Sequence, residues 1–429
     1  MIVTNKWPVV RLSTLAVGTK GAIAGGPFGS DLVSRDYVAS GVPVIRGGNL
    51  SNHAKFSFDD LVFVTENKAD AHHLNCAHPG DLVFTQRGTL GQVGLLPKNS
   101  PYSRFLISQS QMKMTVDPGR ADSLYLYNYF RLPSTVSYIE NHALQSGVPH
   151  INLGILKKLQ IICPPLSVQK KISAVISAYD ELIENNQRRI ALLEKMAEEI
   201  YREWFVRLRF PGYEKVIFVK GVPQGWEVRT LSSFASEIKK GVKKKNLSDD
   251  EKYIGLEHIP RHSISIKEWA TADTVDSDKL LFQERDILFC KICPYLHKVA
   301  LSHVAGACSS DTIVIRPMNE IYEGYLLFTV FSDTFIELAT VASKGTKMPR
   351  ADWGFLKKLE LAVPSTQLLE AYQAHFNILF AQIVTLLREN EILVTARDLL
   401  LPRLVSGKLS VENLDIQFPP SMKEPIHET

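Results

Sequence analysis

The densest group of potential metal ligands in the chain is Cys290-Lys-Ile-Cys293, with His297, His303 and Cys308 downstream. Four nitrogen or sulfur ligands suffice for a structural zinc ion. The spacing fits equally well a pair of buried thiols at a strand end. The thiols are favoured, because an equivalent stretch in the first half of the chain carries Thr85 in place of Cys290 and has no comparable cluster. Asp60 followed by Glu66-Asn67-Lys68 has a loose nuclease spacing, a match that arises often by chance. Cys163-Pro-Pro-Leu166 shares its proline pair with the Asn/Asp-Pro-Pro-aromatic loop of amino-methyltransferases. It lacks both the carboxylate or amide that would hold the amine and the aromatic that would stack on it. It reads instead as a breaker at a domain end, since proline disfavours the helical region for its predecessor. No GxxxxGK[ST] loop is present to cradle phosphates, and no Gly-rich cofactor loop follows a hydrophobic strand. The expectation is a chain with no catalytic residues, no metal and no cofactor of its own.

The elements that would position a binding site must therefore carry the reading. The 429 residues suggest two or three domains. Hydrophobic residues at 45% and charged residues at 22% describe a folded chain rather than a disordered one. The net charge of +4 is mildly basic, compatible with a nucleic-acid partner without requiring one. Five scattered cysteines give no disulfide framework. With no signal-like N-terminus and no apolar run of bilayer length, a soluble cytoplasmic protein is expected.

An internal duplication decides the architecture. SGVPHINLGILKKLQIICPP (146–165) recurs as KGTKMPRADWGFLKKLELAVPS (344–365), displaced by 200 residues except at the glycine pair Gly147/Gly345, displaced by 198. Upstream, WPVVRLSTLA (7–16) matches WEVRTLSSFA (226–235). PVIRGGNL (43–50) matches the stretch around YIGLEHI (253–259), and GDLVFTQRGTLGQVGLL (80–96) matches RDILFCKICPYLHKVAL (285–301). Each copy is a globular part of about 150 residues, mixing short alternating strands with helices, closed by proline and followed by a long helix.

The helices carry the clearest periodicity. Ile172, Ile176, Tyr179, Ile183, Asn186, Ile190, Leu193, Ala197, Ile200 and Trp204 alternate steps of four and three; the series from Tyr372 through Phe376, Ile383, Asn390 and Arg397 to Leu404 does so again, displaced by 200. More than four such heptads define a coiled-coil seam, and each helix is roughly 50 Å long. Antiparallel packing that sets 172 against 404 sets Asn186 against Asn390. Single polar residues in a seam fix register; the two asparagines either pair across it or reach solvent at a loose layer.

The order of these blocks resembles the specificity subunit of type I restriction-modification enzymes. The residues that carry the resemblance are the Pro164-Pro165…Gln169…Ile172 helix entry, the ending LLLPRLVSGKL (399–409) and GDLVFTQRGTLG (80–91). It covers the chain up to about Asp415. It implies an α+β fold: two similar mixed α/β target recognition domains separated by two long helices that form an antiparallel coiled coil, related by a pseudo-two-fold repeat. The expected division is residues 1–163 and 211–363 for the recognition domains, 164–210 and 364–412 for the conserved helical regions, and 413–429 for a tail. The resemblance further implies that each domain reads one half of a split, asymmetric DNA site while the coil sets the spacing. Two modification subunits would dock on the chain, and restriction/translocase subunits would join. S-adenosylmethionine, ATP and Mg would belong to those partners.

Candidate DNA contacts lie in the Gly-bearing loops beside the repeated strands. In the first domain they are Arg46, Asn49, Gln86, Arg87, Gln109, Gln111 and His150; in the second, Glu257, His258, Lys291, Tyr295, His297, Ser309, Lys347 and Arg350. Arginine forks onto guanine, and glutamine or asparagine onto adenine. Lys239, Lys240, Lys243, Lys244 and Lys245 either clamp phosphates or form a solvated loop. The two loop sets diverge, so the half-sites are expected to differ.

Overall fold

The computed structural model describes residues 6–50, 55–144, 149–219, 221–343, 345 and 348–422. They form two compact units, one of residues 1–182 with 393–429 and one of residues 183–392. Both boundaries fall inside a long helix, within the expected helical regions 164–210 and 364–412, because each globular part shares its core with a stretch of each helix.

In the first unit a four-stranded antiparallel sheet runs in the order Ile23–Gly25, Gln111–Met114, Leu82–Thr85, Val93–Leu95. A second sheet runs Val62–Val64, Val42–Ile45, Phe105–Ile107, Cys76–Ala77, with its middle pair parallel. The strand Val9–Arg11 pairs with Gln160–Ile162, so the first and last strands of the globular part lie side by side. Strands Leu82–Thr85 and Gln111–Met114 are buried along their whole length; the first is nearly all apolar, as a strand covered on both faces tends to be, while the second also buries the polar Gln111 and Lys113.

The second unit repeats this plan. Its four-stranded sheet runs Ala235–Ile238, Thr312–Pro317, Ile287–Cys290, Val299–Leu301. Its other sheet contains Ala270–Thr271, Lys252–Ile254, Gly306–Cys308 and Lys279–Phe282, again with the middle pair parallel. The short strand Gly241–Val242 extends that sheet and has no counterpart among the described residues of the first unit. Glu227–Thr230 pairs with Glu360–Val363, repeating the closure of first strand on last. Identical strand order in two sheets of both units is the three-dimensional form of the duplication.

The proline breakers act as expected. A helix begins at Leu166 after Pro164-Pro165 and extends to Tyr201, where a π turn over Arg202–Val206 ends it; the other spans Thr366–Val405 after Pro364. Gly407, at φ 73°, stops the second helix, and a Cβ there would meet Lys6 and Trp7 at 3.0 Å. In the first unit Ile172 and Ile176 share a core with Leu401, Leu404, Trp7, Leu82 and Tyr125. Arg397 donates to Asp180 across the two helices at 2.8 Å, both side chains nearly buried. In the second unit Ile190 packs with Ile383, Leu386 and Leu387, while Tyr201 and Tyr372 have ring centroids 6.4 Å apart. In each unit the partner's number falls as the first helix's number rises, so the pairing is antiparallel. Among the described residues no single helix is long and apolar enough to cross a membrane. The two apolar helices Glu323–Phe331 and Asp333–Val341 contribute Leu326, Phe328 and Phe335 to the second core instead.

His303 lies inside the second unit, 3% exposed, with no hydrogen bond at either ring nitrogen and Glu391 Oε1 3.9 Å from Nε2. Burial, reinforced by the charges of Lys252 and Arg388, pushes its pKa down to about 4. The unfolded chain takes up that proton near pH 6.5 and the folded chain does not. The stability held by neutral His303 is therefore complete above pH 6.5 and is lost progressively as pH falls toward 4. Urea midpoints measured between pH 8 and pH 4 should show this acid limb, and His303→Leu should flatten it.

Candidate nucleic-acid interface

In the first unit one backbone frame draws the predicted loops together. Ser108 N–H donates to the Ile45 carbonyl at 2.9 Å, and Gln111 N–H to the Ser108 carbonyl at 3.0 Å. Gln86 N–H donates to the Ser110 carbonyl at 2.7 Å, and Ile151 N–H to the Gln86 carbonyl at 3.0 Å. Arg87 and His150 form an isolated antiparallel bridge. Gly26 must be glycine, because a Cβ there would lie 2.0 Å from the Ser108 carbonyl oxygen. Arg46, Gln86, Arg87, Gln109 and His150 thus share one end of the sheets. Arg87 and Gln109 are exposed, and the other three are half-buried.

Two predicted contacts in this set serve the frame instead. Asn49 is 2% exposed. Its Oδ1 accepts from Arg46 N–H at 2.9 Å, and its Nδ2 donates to the Ser57 and Asp59 carbonyls at 3.2 and 2.9 Å. Gln111 is fully buried. Turned so that both ends of its amide are satisfied, it donates to the Ile45 carbonyl and accepts from Gly47 N–H, each at 3.2 Å. Neither can reach a base edge. Polar side chains with every lone pair and proton satisfied are what buried loops require.

The second unit builds the same frame from different residues. Ser309 N–H donates to the Ile254 carbonyl at 3.2 Å, and Thr312 N–H to the Ser309 carbonyl at 3.0 Å. Lys291 N–H donates to the Asp311 carbonyl at 3.0 Å, and Ala351 N–H to the Lys291 carbonyl at 2.8 Å. Ile292 and Arg350 form the bridge that Arg87 and His150 form in the first unit. His258 Nδ1 accepts from Gly255 N–H at 2.9 Å, the role of Asn49. An open cleft of about 380 Å³ has Lys239, Lys291, Arg350 and Lys357 in its lining, beside Glu237, Asp352 and Trp353. Asp311 sits among these cations, 3.3 Å from both Lys291 Nζ and Arg350 Nε.

His297 is a further correction. It is 4% exposed, in the left-handed region at φ 51°, with its ring against His262 (4.3 Å) and Phe331 (4.6 Å). Burial, with His262 beside it, holds its pKa below the usual histidine value, so it packs as a neutral ring. Tyr295 on the same loop is 57% exposed and remains available. In the basic run Lys243 and Lys245 are exposed, whereas Lys244 Nζ donates to the Ala272 carbonyl and Lys239 pairs with Glu237 at 2.9 Å. Lys347 lies outside the described residues. Cys290 Sγ donates to the Ile292 carbonyl at 3.3 Å, and burial pushes the Cys308 thiol up to about 12. Among the described residues no group of three or more His, Cys, Asp or Glu side chains is placed to hold a metal ion. Asn186 Nδ2 donates to Asn390 Oδ1 at 3.1 Å and to Glu389 at 3.2 Å.

The fold is shared with a solved protein. A crystal structure of a type I restriction-modification system S subunit from M. genitalium aligns over 94% of this chain and 96% of its own, with a TM-score of 0.53 and 16% identity. The family described as "Type I restriction modification DNA specificity domain" matches residues 30–195. The type I restriction enzyme MjaIX specificity subunit of Methanocaldococcus jannaschii is 25% identical over 96% of this chain and 95% of its own length. Over nearly its whole length the chain is similar to type I restriction enzyme specificity subunits. The EcoDI specificity subunit of Escherichia coli is 22% identical over 57% of this chain and 60% of its own length.

The structure sets two further residues beside these loops that the sequence did not single out. Phe28, 67% exposed, stands between Gly26-Pro27 and Gly29, next to the backbone that packs on Ser108 and Gln109. Its flanking turn residues were a signal, but exposure of an aromatic is not readable from a string. Asp311 carries a charge opposite to that expected beside a polyanion, so residue type gives no signal for it.

Asn49→Ala should remove three hydrogen bonds, leaving the Arg46 N–H and the Ser57 and Asp59 carbonyls without that partner. A destabilisation of about 2 kcal/mol is expected, checked by the urea midpoint of the purified chain. The surface substitution Gln109→Ala should leave that midpoint within about 0.5 kcal/mol.

Proposed function

We propose that this chain is the non-catalytic, sequence-reading specificity subunit of a type I restriction-modification complex. Each globular part reads one half of a split, asymmetric site in double-stranded DNA, and the helices set the separation and dock two modification subunits. Restriction/translocase subunits complete the assembly. S-adenosylmethionine, ATP and Mg act on those partners, and the work is cytoplasmic. One observation carries this reading: the same backbone frame is built twice with different exposed side chains, as two readers of two different sequences require. Phosphate contacts fix register, while base-edge contacts choose sequence. With a net charge of only +4, the subunit leans on its partners to close around the duplex.

The test is a mobility shift with the modification subunits present and salt varied, alongside mapping of methylated sites in a host carrying both genes. Salt-sensitive binding and one bipartite methylated motif are expected. Absence of both would leave a coiled-coil scaffold that never touches DNA.

Half-sites read from one face recur every 34–36 Å, one DNA turn. Deleting one heptad from both helices removes about 10 Å of each. The length of the unread spacer in the mapped motif should shorten while both half-sites keep their sequences. An unchanged spacer would refute the coil as the measuring element.

A further inference from the structure

We propose that one trio in each half decides a base pair there: Gln86, Ser110 and His150 in the first, Lys291, Asp311 and Arg350 in the second. The inference rests on the sequence-reading function proposed above and names the residues that perform it.

The two trios occupy equivalent places by backbone bonding alone. Gln86 and Lys291 each donate N–H to the carbonyl of the trio's middle residue, at 2.7 and 3.0 Å. Each also accepts at its carbonyl from the residue just after the trio's third member, Ile151 at 3.0 Å and Ala351 at 2.8 Å. Around these points the frame repeats, and at these points the chemistry changes completely, from amide, hydroxyl and imidazole to ammonium, carboxylate and guanidinium.

The second trio is not built as a phosphate clamp. Lys291 Nζ donates to the Ser310 carbonyl at 2.7 Å and lies 3.3 Å from Asp311 Oδ1, the same oxygen that Arg350 Nε approaches at 3.3 Å. A carboxylate between two cations repels a phosphate and holds the cations in place. In the major groove the same set meets a G·C pair: the cations face the two acceptors of guanine, O6 and N7, and the carboxylate takes the N4 amine of cytosine. Arg350 is half exposed at the mouth of the cleft, and Lys291 and Asp311 are less than a third exposed. In the first trio the amide of Gln86 matches the donor–acceptor pair of adenine, N6 and N7. The first half therefore reads an A·T pair where the second reads a G·C pair.

The test uses the chain assembled with its modification subunits and a DNA library randomised across the methylated motif. The graft Q86K/S110D/H150R should change preference at one position of the first half-site, from A·T to G·C, by about ten- to a hundredfold. The second half-site should not change. Because the graft alters three residues at once, R350A is measured beside it. It should relax one G·C position of the second half-site by about tenfold or more, with little change elsewhere. An unchanged motif with the graft overturns the proposal. So does a uniform loss across all sequences with R350A, with a shallower salt dependence, since that is the signature of a phosphate contact. Failure of the wild-type assembly to select any sequence would instead reject the function on which the proposal rests, and the same library reports it.

Discussion

The constraint on which the rest depends is the set of backbone hydrogen bonds at the end of the sheets. Ser108 to Ile45, Gln86 to Ser110 and Ile151 to Gln86 fix four chain segments using only peptide groups. Peptide groups are the same whatever side chain they carry, and a buried one must be paired. The loops can therefore exchange side chains without losing their positions. Glycine at 26 allows one segment to lie directly on another, and Asn49 or His258 supplies the one side-chain cap each frame needs.

The frame explains why function separates from fold in this chain. The buried members, Asn49, Gln111 and His297, resemble candidate contacts by residue type but are consumed by geometry and packing. The exposed members, among them Arg87, Gln109 and Tyr295, are free of that duty. Arg285 shows how far the two halves have drifted around a shared backbone. It stands where the first half has Gly80, both with positive φ (69° and 93°), and its guanidinium donates to the buried Glu323 and to the exposed Asn377.

The fold was largely legible because duplication writes it twice. The matches at 80–96 and 285–301 marked equivalent strands, and Pro164 and Pro364 marked the entries of both long helices. The steps of four and three located the seam, including Asn186 and Asn390, since heptad spacing is a property of the string itself. The site was legible only as a set of loops. Which of its side chains turn inward depends on partners remote in sequence, as with Asn49 and the Ser57 and Asp59 carbonyls, or His297 and Phe331. The unit boundaries at 182/183 and 392/393 were not legible either, because they reflect which stretch of helix each core recruits.

The discontinuity of the first unit has an outcome for the chain as it leaves the ribosome. Residues 183–392 are contiguous, so everything the second core requires has emerged once they are made. The first core also draws on Leu401, Leu404, Val405 and Val411, which pack with Trp7, Ile172 and Ile176. The half translated first must wait with an open apolar flank, and it is the last to be finished.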